Sequence, residues 1–307
     1  MLANSVDITD LLAAAQIAIT DCGLIPSSQG HAIYRVSGPD GDFIIRVASD
    51  AAHLRALRRE VRLLAGLREW VTLRIPDTCI VDAGTPFAVH CHIPGDPLTT
   101  GLYEELSPAL RERLVADLAT FFRETHAVPL ELGSSWLGEP YGGKGVAAVV
   151  HGKPAWFRPD DVVALRQLLE PILDESETEI FERTVGEYEM LGAHPDFMVF
   201  GHGDLHGYNI AIGEDALGPR LVGVFDLGCT SILDIHEDFF RLSLVSEDLL
   251  NRVLAAYRTL PGPERKISRD RIVVYYRAFL FYLMCEASGE TLANLRRLLQ
   301  KHIALPE

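Results

Sequence analysis

Cysteine is scarce and unpatterned in this chain. Five are present, Cys22, Cys79, Cys91, Cys229 and Cys285, an odd number with no Cys-x-x-Cys pair. That argues against a disulfide framework or a thiolate zinc site and fits a reducing, cytoplasmic setting. No stretch approaches the 18 or so apolar residues that span a bilayer. The most apolar late segment, 272–285, carries Arg277 in its middle and reads as a buried helix. Asp7, Asp10 and Asp21 interrupt the first 25 residues, so no signal peptide is expected. Positive charge is the minority, with a formal net charge of -15. A duplex nucleic acid repels such a surface, whereas a cationic small molecule is drawn to it. The densest basic group, Arg55, Arg58, Arg59 and Arg62, falls at helical spacing around Glu60 and reads as a solvated helix face.

What is present suits a globular enzyme-sized protein. The chain has 307 residues, 48% hydrophobic and 23% charged, enough for one large domain or two modest ones. Repeats and low-complexity tracts are missing. Residues 8–20 carry Ile8, Leu11, Leu12, Ala15 and Ile19 at helical spacing. A turn-rich Pro26-Ser27-Ser28-Gln29-Gly30 follows, then strands at 32–36 and 43–47 around the Gly38-Pro39-Asp40-Gly41-Asp42 turn. Residues 51–69 form a long helix by spacing, and short strands are expected near 78–81 and 87–92. The pattern breaks at Ile93-Pro94-Gly95-Asp96-Pro97, which places a boundary between a lobe of residues 1–93 and a second of 94–307. Beyond it the chain is mainly helical: 107–125, with Ser107 as N-cap and Pro108 at N1, then 160–176, 177–191 and most of 234–304. A second hairpin, Ile210-Ala211-Ile212 with Leu221 to Phe225, interrupts the helices.

That hairpin frames the chemistry. It follows His202-Gly203-Asp204-Leu205-His206-Gly207-Tyr208-Asn209 and runs into Asp226-Leu227-Gly228. Phosphoryl transfer needs a carboxylate for the proton of the attacking hydroxyl and hard oxygen ligands for Mg²⁺ on the triphosphate. Asp204 and Asn209 are five positions apart, the spacing of the base and the metal-binding Asn in protein-kinase catalytic loops. Asn209 opens the hairpin and Asp226 closes it. Antiparallel pairing sets two such ends side by side, so an amide oxygen and a carboxylate would face one cation.

The segment resembles the H-G-D-x-H-x-x-N signature of the aminoglycoside phosphotransferase and choline kinase superfamily, and Asp226-Leu227-Gly228 resembles its D-x-G motif. Asp234 to Phe239 is similar to the family's D-P-x-x-D-L segment, in which the second Asp, here Asp238, braces the catalytic loop. Arg123 to Pro129 resembles the L-H-x-L-P end of a C-lobe helix. Phe87 to Leu98 resembles the hinge, and Arg58-Arg59-Glu60-Val61 the helix bearing an ion-pairing Glu. Residues 131–190 carry no such match.

The resemblance implies an α+β, bilobal protein-kinase-like fold with a small β-rich N-lobe and a larger, mainly helical C-lobe. ATP or GTP would lie between the lobes, meeting the hinge backbone near Cys91 and Ile93, with Ser27, Ser28, Gln29 and Gly30 over the phosphates. Arg46 stands where protein kinases have a phosphate-binding Lys, and Glu60 is its expected partner. The loop has one Gly, not G-x-G-x-x-G, and Leu227 replaces the common Phe.

Plainer readings stand beside these. Arg46 and Glu60 could form an ordinary surface ion pair. His202 and His206 could be zinc ligands at a spacing of four, but the glycines beside them favour a hydrogen-bonded loop. His126 suits a satisfied helix-end histidine.

The expected function is transfer of a γ-phosphoryl group to a hydroxyl of a small molecule. The acceptor could be an aminoglycoside or another antibiotic, which would make the chain a resistance enzyme. It could equally be a metabolite such as choline, a sugar or homoserine. A nucleotide-binding pseudokinase with a regulatory role is the alternative from another class. Glu182, Glu187, Glu189 and Asp234 are the acidic residues that could meet a cationic acceptor.

Overall fold

The computed structural model describes residues 8–25, 31–138, 159–192 and 194–303. The loop residues Ser27, Ser28, Gln29 and Gly30 fall outside the described residues.

The first part of the chain builds a five-stranded antiparallel sheet in the order β1-β2-β3-β5-β4, from β1 (Asp21–Ile25), β2 (His31–Gly38), β3 (Gly41–Ala48), β4 (Thr78–Ala83) and β5 (Thr85–Cys91). The β2–β3 hairpin turns where the sequence places it, with Gly38 opposite Gly41. The short helix α1 (Ile8–Ala14) stops well before residue 20, and the chain continues as β1 on the sheet edge. Four of the five β1 residues are exposed, so the strand carries no alternating apolar signal. Ala15 and Ile19 pack on the same core as α1, which is why the apolar spacing runs past the helix end. Leu11, Leu12, Val36, Ile45, Phe87 and Val89 fill the core between α1 and the sheet.

Helix α2 (Ala51–Leu67) starts where Asp50 caps it, accepting from the Ala52 and His53 N–H groups at 2.8 Å. Its C-terminal half, Leu63, Leu64 and Leu67, belongs to a second and much larger core. That core is formed by the helices that follow. They are α3 (Thr100–Glu105), α4 (Pro108–Ala127), α5 (Leu130–Leu137), α6 (Pro159–Leu169) and α7 (Glu175–Met190), then α8 (Ile235–Phe240), α9 (Glu247–Thr259), α10 (Arg269–Met284) and α11 (Gly289–Ile303). Ser107 caps α4 with Pro108 in its first turn, as its sequence dictates. Within α10, Arg277 is buried and pairs with Glu187 of α7.

Two small sheets are set among these helices. Strand β6 (Asp96–Pro97) pairs with β8 (Ile210–Asp215), which pairs with β9 (Gly218–Val224). The expected hairpin therefore has the chain break at 93–97 docked on its outer edge. Strand β7 (Met198–Gly201) pairs with β10 (Ser231–Asp234). This ribbon escapes a local reading, because its strands are four residues long and some thirty positions apart. Its effect is to clamp both ends of the 202–230 segment. No helix among the described residues is long and apolar enough to cross a membrane.

Candidate active site

The loop between β7 and β8 is held by groups that reach it from below. Asp238 of α8 is fully buried and accepts from the backbone N–H of His202 at 3.1 Å and of Gly203 at 2.7 Å. Its third partner is His126, whose Nε2 lies at 3.0 Å while Nδ1 meets the Tyr257 hydroxyl at 3.2 Å. Burial works to raise the Asp238 pKa, but the His126 hydrogen bond and the backbone donors outweigh it and hold the carboxyl below its usual range. Gly203 sits at φ 74°, and a Cβ there would stand 2.7 Å from the Cys229 carbonyl oxygen. At Gly207 a Cβ would collide with the Leu98 carbonyl. The two glycines let the loop lie flat against its neighbours.

His202 spends both ring nitrogens inside this loop. The Asp204 N–H donates to Nδ1 at 3.2 Å, so the ring proton sits on Nε2 and donates to the Phe225 carbonyl at 3.1 Å. A zinc role is therefore closed to it. The ring also fastens the loop bearing Asp204 to the far end of the hairpin. His206 accepts from the Tyr208 N–H, and its Nε2 is 3.8 Å from Asp204 Oδ2. Burial pushes the His206 imidazole below its ordinary range, against the pull of Asp204.

Asn209 and Asp226 flank the two ends of the β8–β9 hairpin. The Phe225 N–H donates to the Asn209 carbonyl at 3.1 Å. The Asn209 amide donates to the Asp204 carbonyl at 2.8 Å. Asp226 adopts the left-handed backbone conformation, φ 58° and ψ 58°, uncommon outside glycine and concentrated at functional sites. Its carboxylate is about a third exposed and stands 4.0 Å from Arg46 Nη1. Among the described residues no group of three His, Cys, Asp or Glu could hold a metal ion unaided. One amide oxygen and one carboxylate instead fit Mg²⁺, which keeps water and takes most of its ligands from phosphate.

Arg46 and Glu60 are no surface pair. Arg46 Nη1 donates to Glu60 Oε2 at 2.8 Å, with side chains 12% and 6% exposed. They line a cleft of about 450 Å³ together with Ile33, Ile44, His90, Cys91, Ile93 and Asp226. The cleft thus gathers four of the residues expected at a nucleotide, Arg46, Glu60, Cys91 and Ile93, with Asp226, expected at a metal. The Cys91 N–H is spent on the Asp77 carbonyl at 2.7 Å. His90, opposite Ile44 in the sheet, was invisible to motif reading. Its Nδ1 meets the Thr78 hydroxyl at 2.9 Å, and burial, reinforced by Arg46, pushes its pKa down to about 3.

Two further arginines carry no motif signal. Arg59 does not lie on a solvated face. It reaches across to donate to the carbonyls of Gly228 at 3.0 Å and Thr230 at 2.6 Å, tying α2 to the segment after Asp226. Arg241, directly after α8, pairs with Asp204 Oδ1 at 2.9 Å. Conversely, Asp234 cannot meet an acceptor. It is buried, caps α8 and is occupied by His236 and Arg271.

The chain belongs to the phosphotransferase enzyme family, whose model matches residues 21–270. Solved structures of that kind superpose over nearly its whole length. Aminoglycoside 2'-phosphotransferase-IIIa in its GDP complex matches with a TM-score of 0.71 at 20% identity, covering 97% of both chains. Macrolide 2'-phosphotransferase type I gives 0.65 at 18% identity, covering 97% of this chain and 98% of that one. Macrolide 2'-phosphotransferase MphH from Brachybacterium faecium gives 0.63 at 19%, covering 98% of each. No curated protein matches the chain. The fold is therefore the α+β, kinase-like one that the resemblance implies.

Proposed function

We propose that this chain transfers the γ-phosphoryl group of ATP or GTP to a hydroxyl of a small molecule, an aminoglycoside or a similar antibiotic. The carrying observation is the Asn209 amide bonded to the Asp204 carbonyl, with the Asn209 carbonyl taking the Phe225 N–H next to Asp226, and Asp226 at the edge of the cleft walled by Arg46 and Glu60. Residues 1–93 would hold the nucleotide, and 94–307 the acceptor and the catalytic groups. The base would rest between Ile33 and Ile44 above and the Cys91–Ile93 backbone beside it. Arg46, held straight by Glu60, would meet the phosphates. Asn209 Oδ1 and the Asp226 carboxylate would hold Mg²⁺, which would supply positive charge to offset the negative charge of the phosphates. Asp204 takes the proton of the acceptor hydroxyl as it attacks the γ-phosphorus.

A polycationic acceptor fits the net charge of -15. Among the superposable structures, one APH(2") is in complex with GDP and kanamycin and another with streptomycin and ATP. The test is transfer of labelled γ-phosphate, from ATP and from GTP, to a panel of aminoglycosides, macrolides, choline, sugars and homoserine, with and without Mg²⁺. Label on an aminoglycoside, lost on chelation, is expected. Label on a metabolite alone would replace the antibiotic reading. Nucleotide binding without transfer to any acceptor would favour a regulatory pseudokinase.

A further inference from the structure

Arg241 is a cation with almost no access to solvent, 5% exposed. A buried guanidinium is costly unless its donors and charge are matched. Here Nη1 meets Asp204 Oδ1 at 2.9 Å and Nε donates to the Gly203 carbonyl at 3.0 Å. The ring of Phe279 lies 4.3 Å from its central carbon and that of Phe240 5.0 Å. The aromatic faces favour the cation and fix its plane. Arg241 does not border the nucleotide cleft.

Its place in the chain adds to this. Asp238 is three residues earlier, on the same side of the chain as it leaves α8. Asp238 accepts the Gly203 N–H, and Arg241 donates to the Gly203 carbonyl. Both ends of one left-handed glycine are therefore gripped from one turn, and the grip extends one residue further to the Asp204 side chain.

We propose that Arg241 is a positioning residue for phosphoryl transfer: by committing Asp204 Oδ1 it leaves Oδ2, on the His206 side, as the oxygen that receives the acceptor's proton. This rests on the phosphotransferase reading above. In the step, the acceptor hydroxyl oxygen forms its bond to the γ-phosphorus and its proton passes to Oδ2. The bond from the γ-phosphorus to the bridging oxygen breaks, and the nucleoside diphosphate leaves with that electron pair. Without Arg241 the Asp204 carboxylate is free to rotate and to turn either oxygen to the acceptor.

The experiment is a double-mutant cycle of Arg241→Ala and Asp204→Asn in the full chain, read as single-turnover transfer with nucleotide binding measured in parallel. Arg241→Ala is expected to lower the transfer rate about 100-fold, the scale of a misplaced catalytic group. Nucleotide affinity should stay within about twofold, since Arg241 touches no part of that cleft. On the Asp204→Asn background the same substitution should cost less than about threefold, because the carboxylate it acts through is gone. Added guanidinium at non-denaturing concentration should restore part of the Arg241→Ala rate. Arg241→Lys, which keeps charge and stem but not the fork, should lose about tenfold and serves if the alanine variant does not fold. An equal loss on both backgrounds, or full transfer by both 241 variants, overturns the positioning role. In the same assay, a wild type that transfers to no acceptor sinks the underlying reading as well, whereas an active wild type with indifferent 241 variants sinks only this inference.

Discussion

The loop bearing Asp204 and the wall of the cleft lined by Arg46 are both polar and buried, yet they are finished differently. In the loop nearly every polar group has a partner supplied by the fold. Asp238 has three, His202 has two for its ring, and both ends of Gly203 are held. In the cleft wall, Arg46 Nε and His90 Nε2 are buried with no hydrogen-bond partner among the described residues. An unmet buried donor or acceptor costs roughly 1–3 kcal/mol. The fold thus completes the loop internally and leaves these two buried atoms of the cleft wall unmet among the described residues. A catalytic group must be aimed before reaction, while a binding surface gains affinity from groups that lack partners until the ligand arrives.

The contrast can be broken most severely at Asp238. Asp238→Ala strips the loop of its brace and leaves His126 facing an apolar gap. It should cost about 3–5 kcal/mol of stability by urea or thermal unfolding, the scale for breaking a buried charged pair. Nucleotide should restore little of it, because the lost partners belong to the fold. A loss under about 1 kcal/mol would show the loop is not built as described.

Glu60→Ala probes the other side. Arg46 keeps its charge but loses the partner that aims it, so the nucleotide KM should rise about tenfold or more with a smaller change in melting temperature. An unchanged KM would reduce the pair to a structural contact. The smallest effect is expected at His90. Its pKa is pushed down to about 3 from an ordinary 6.5, so between those values the unfolded chain binds the proton that the folded chain refuses. Stability should therefore fall on acidification from pH 7 to 5, by about 1–2 kcal/mol from this residue. His126 works in the same direction, its pKa also lowered by burial. His90→Leu should flatten the acid slope in part and shift stability at neutral pH by about 1 kcal/mol or less, since it removes an unmet nitrogen but abandons the Thr78 hydroxyl. An identical acid slope in the variant would contradict the buried neutral imidazole.

The loop and its hairpin were legible because their residues are contiguous or joined by a two-ended local pairing. Gly203, Asp204, Asn209 and Asp226 need only a turn and a hairpin to come together. The Arg46–Glu60 pair was legible as a possibility, but its burial was not, since that depends on how α2 lies on the sheet. The arginines show the limit clearly. Arg59 and Arg241 look like surface cations in sequence, and only the packing of α2 against the 228–230 segment and of α10 against α8 turns them inward. Asp234 erred the other way, a carboxylate open to an acceptor by sequence and a buried helix cap in the structure. Strand β1 and the β7–β10 ribbon were missed because an exposed edge and a long-range pairing leave no periodic trace. His90 gave no motif signal at all; its place opposite Ile44 follows from sheet register alone.

On the proposed function, Asp204 serves the chemistry while a separate surface holds the nucleotide. The most direct test is the single-turnover rate of phosphoryl transfer by Asp204→Asn, measured beside its nucleotide dissociation constant. A rate lower by about 10²–10⁴ is expected, with nucleotide affinity within about twofold of wild type. A rate within about tenfold of wild type, or a loss that merely parallels weakened nucleotide binding, would contradict it.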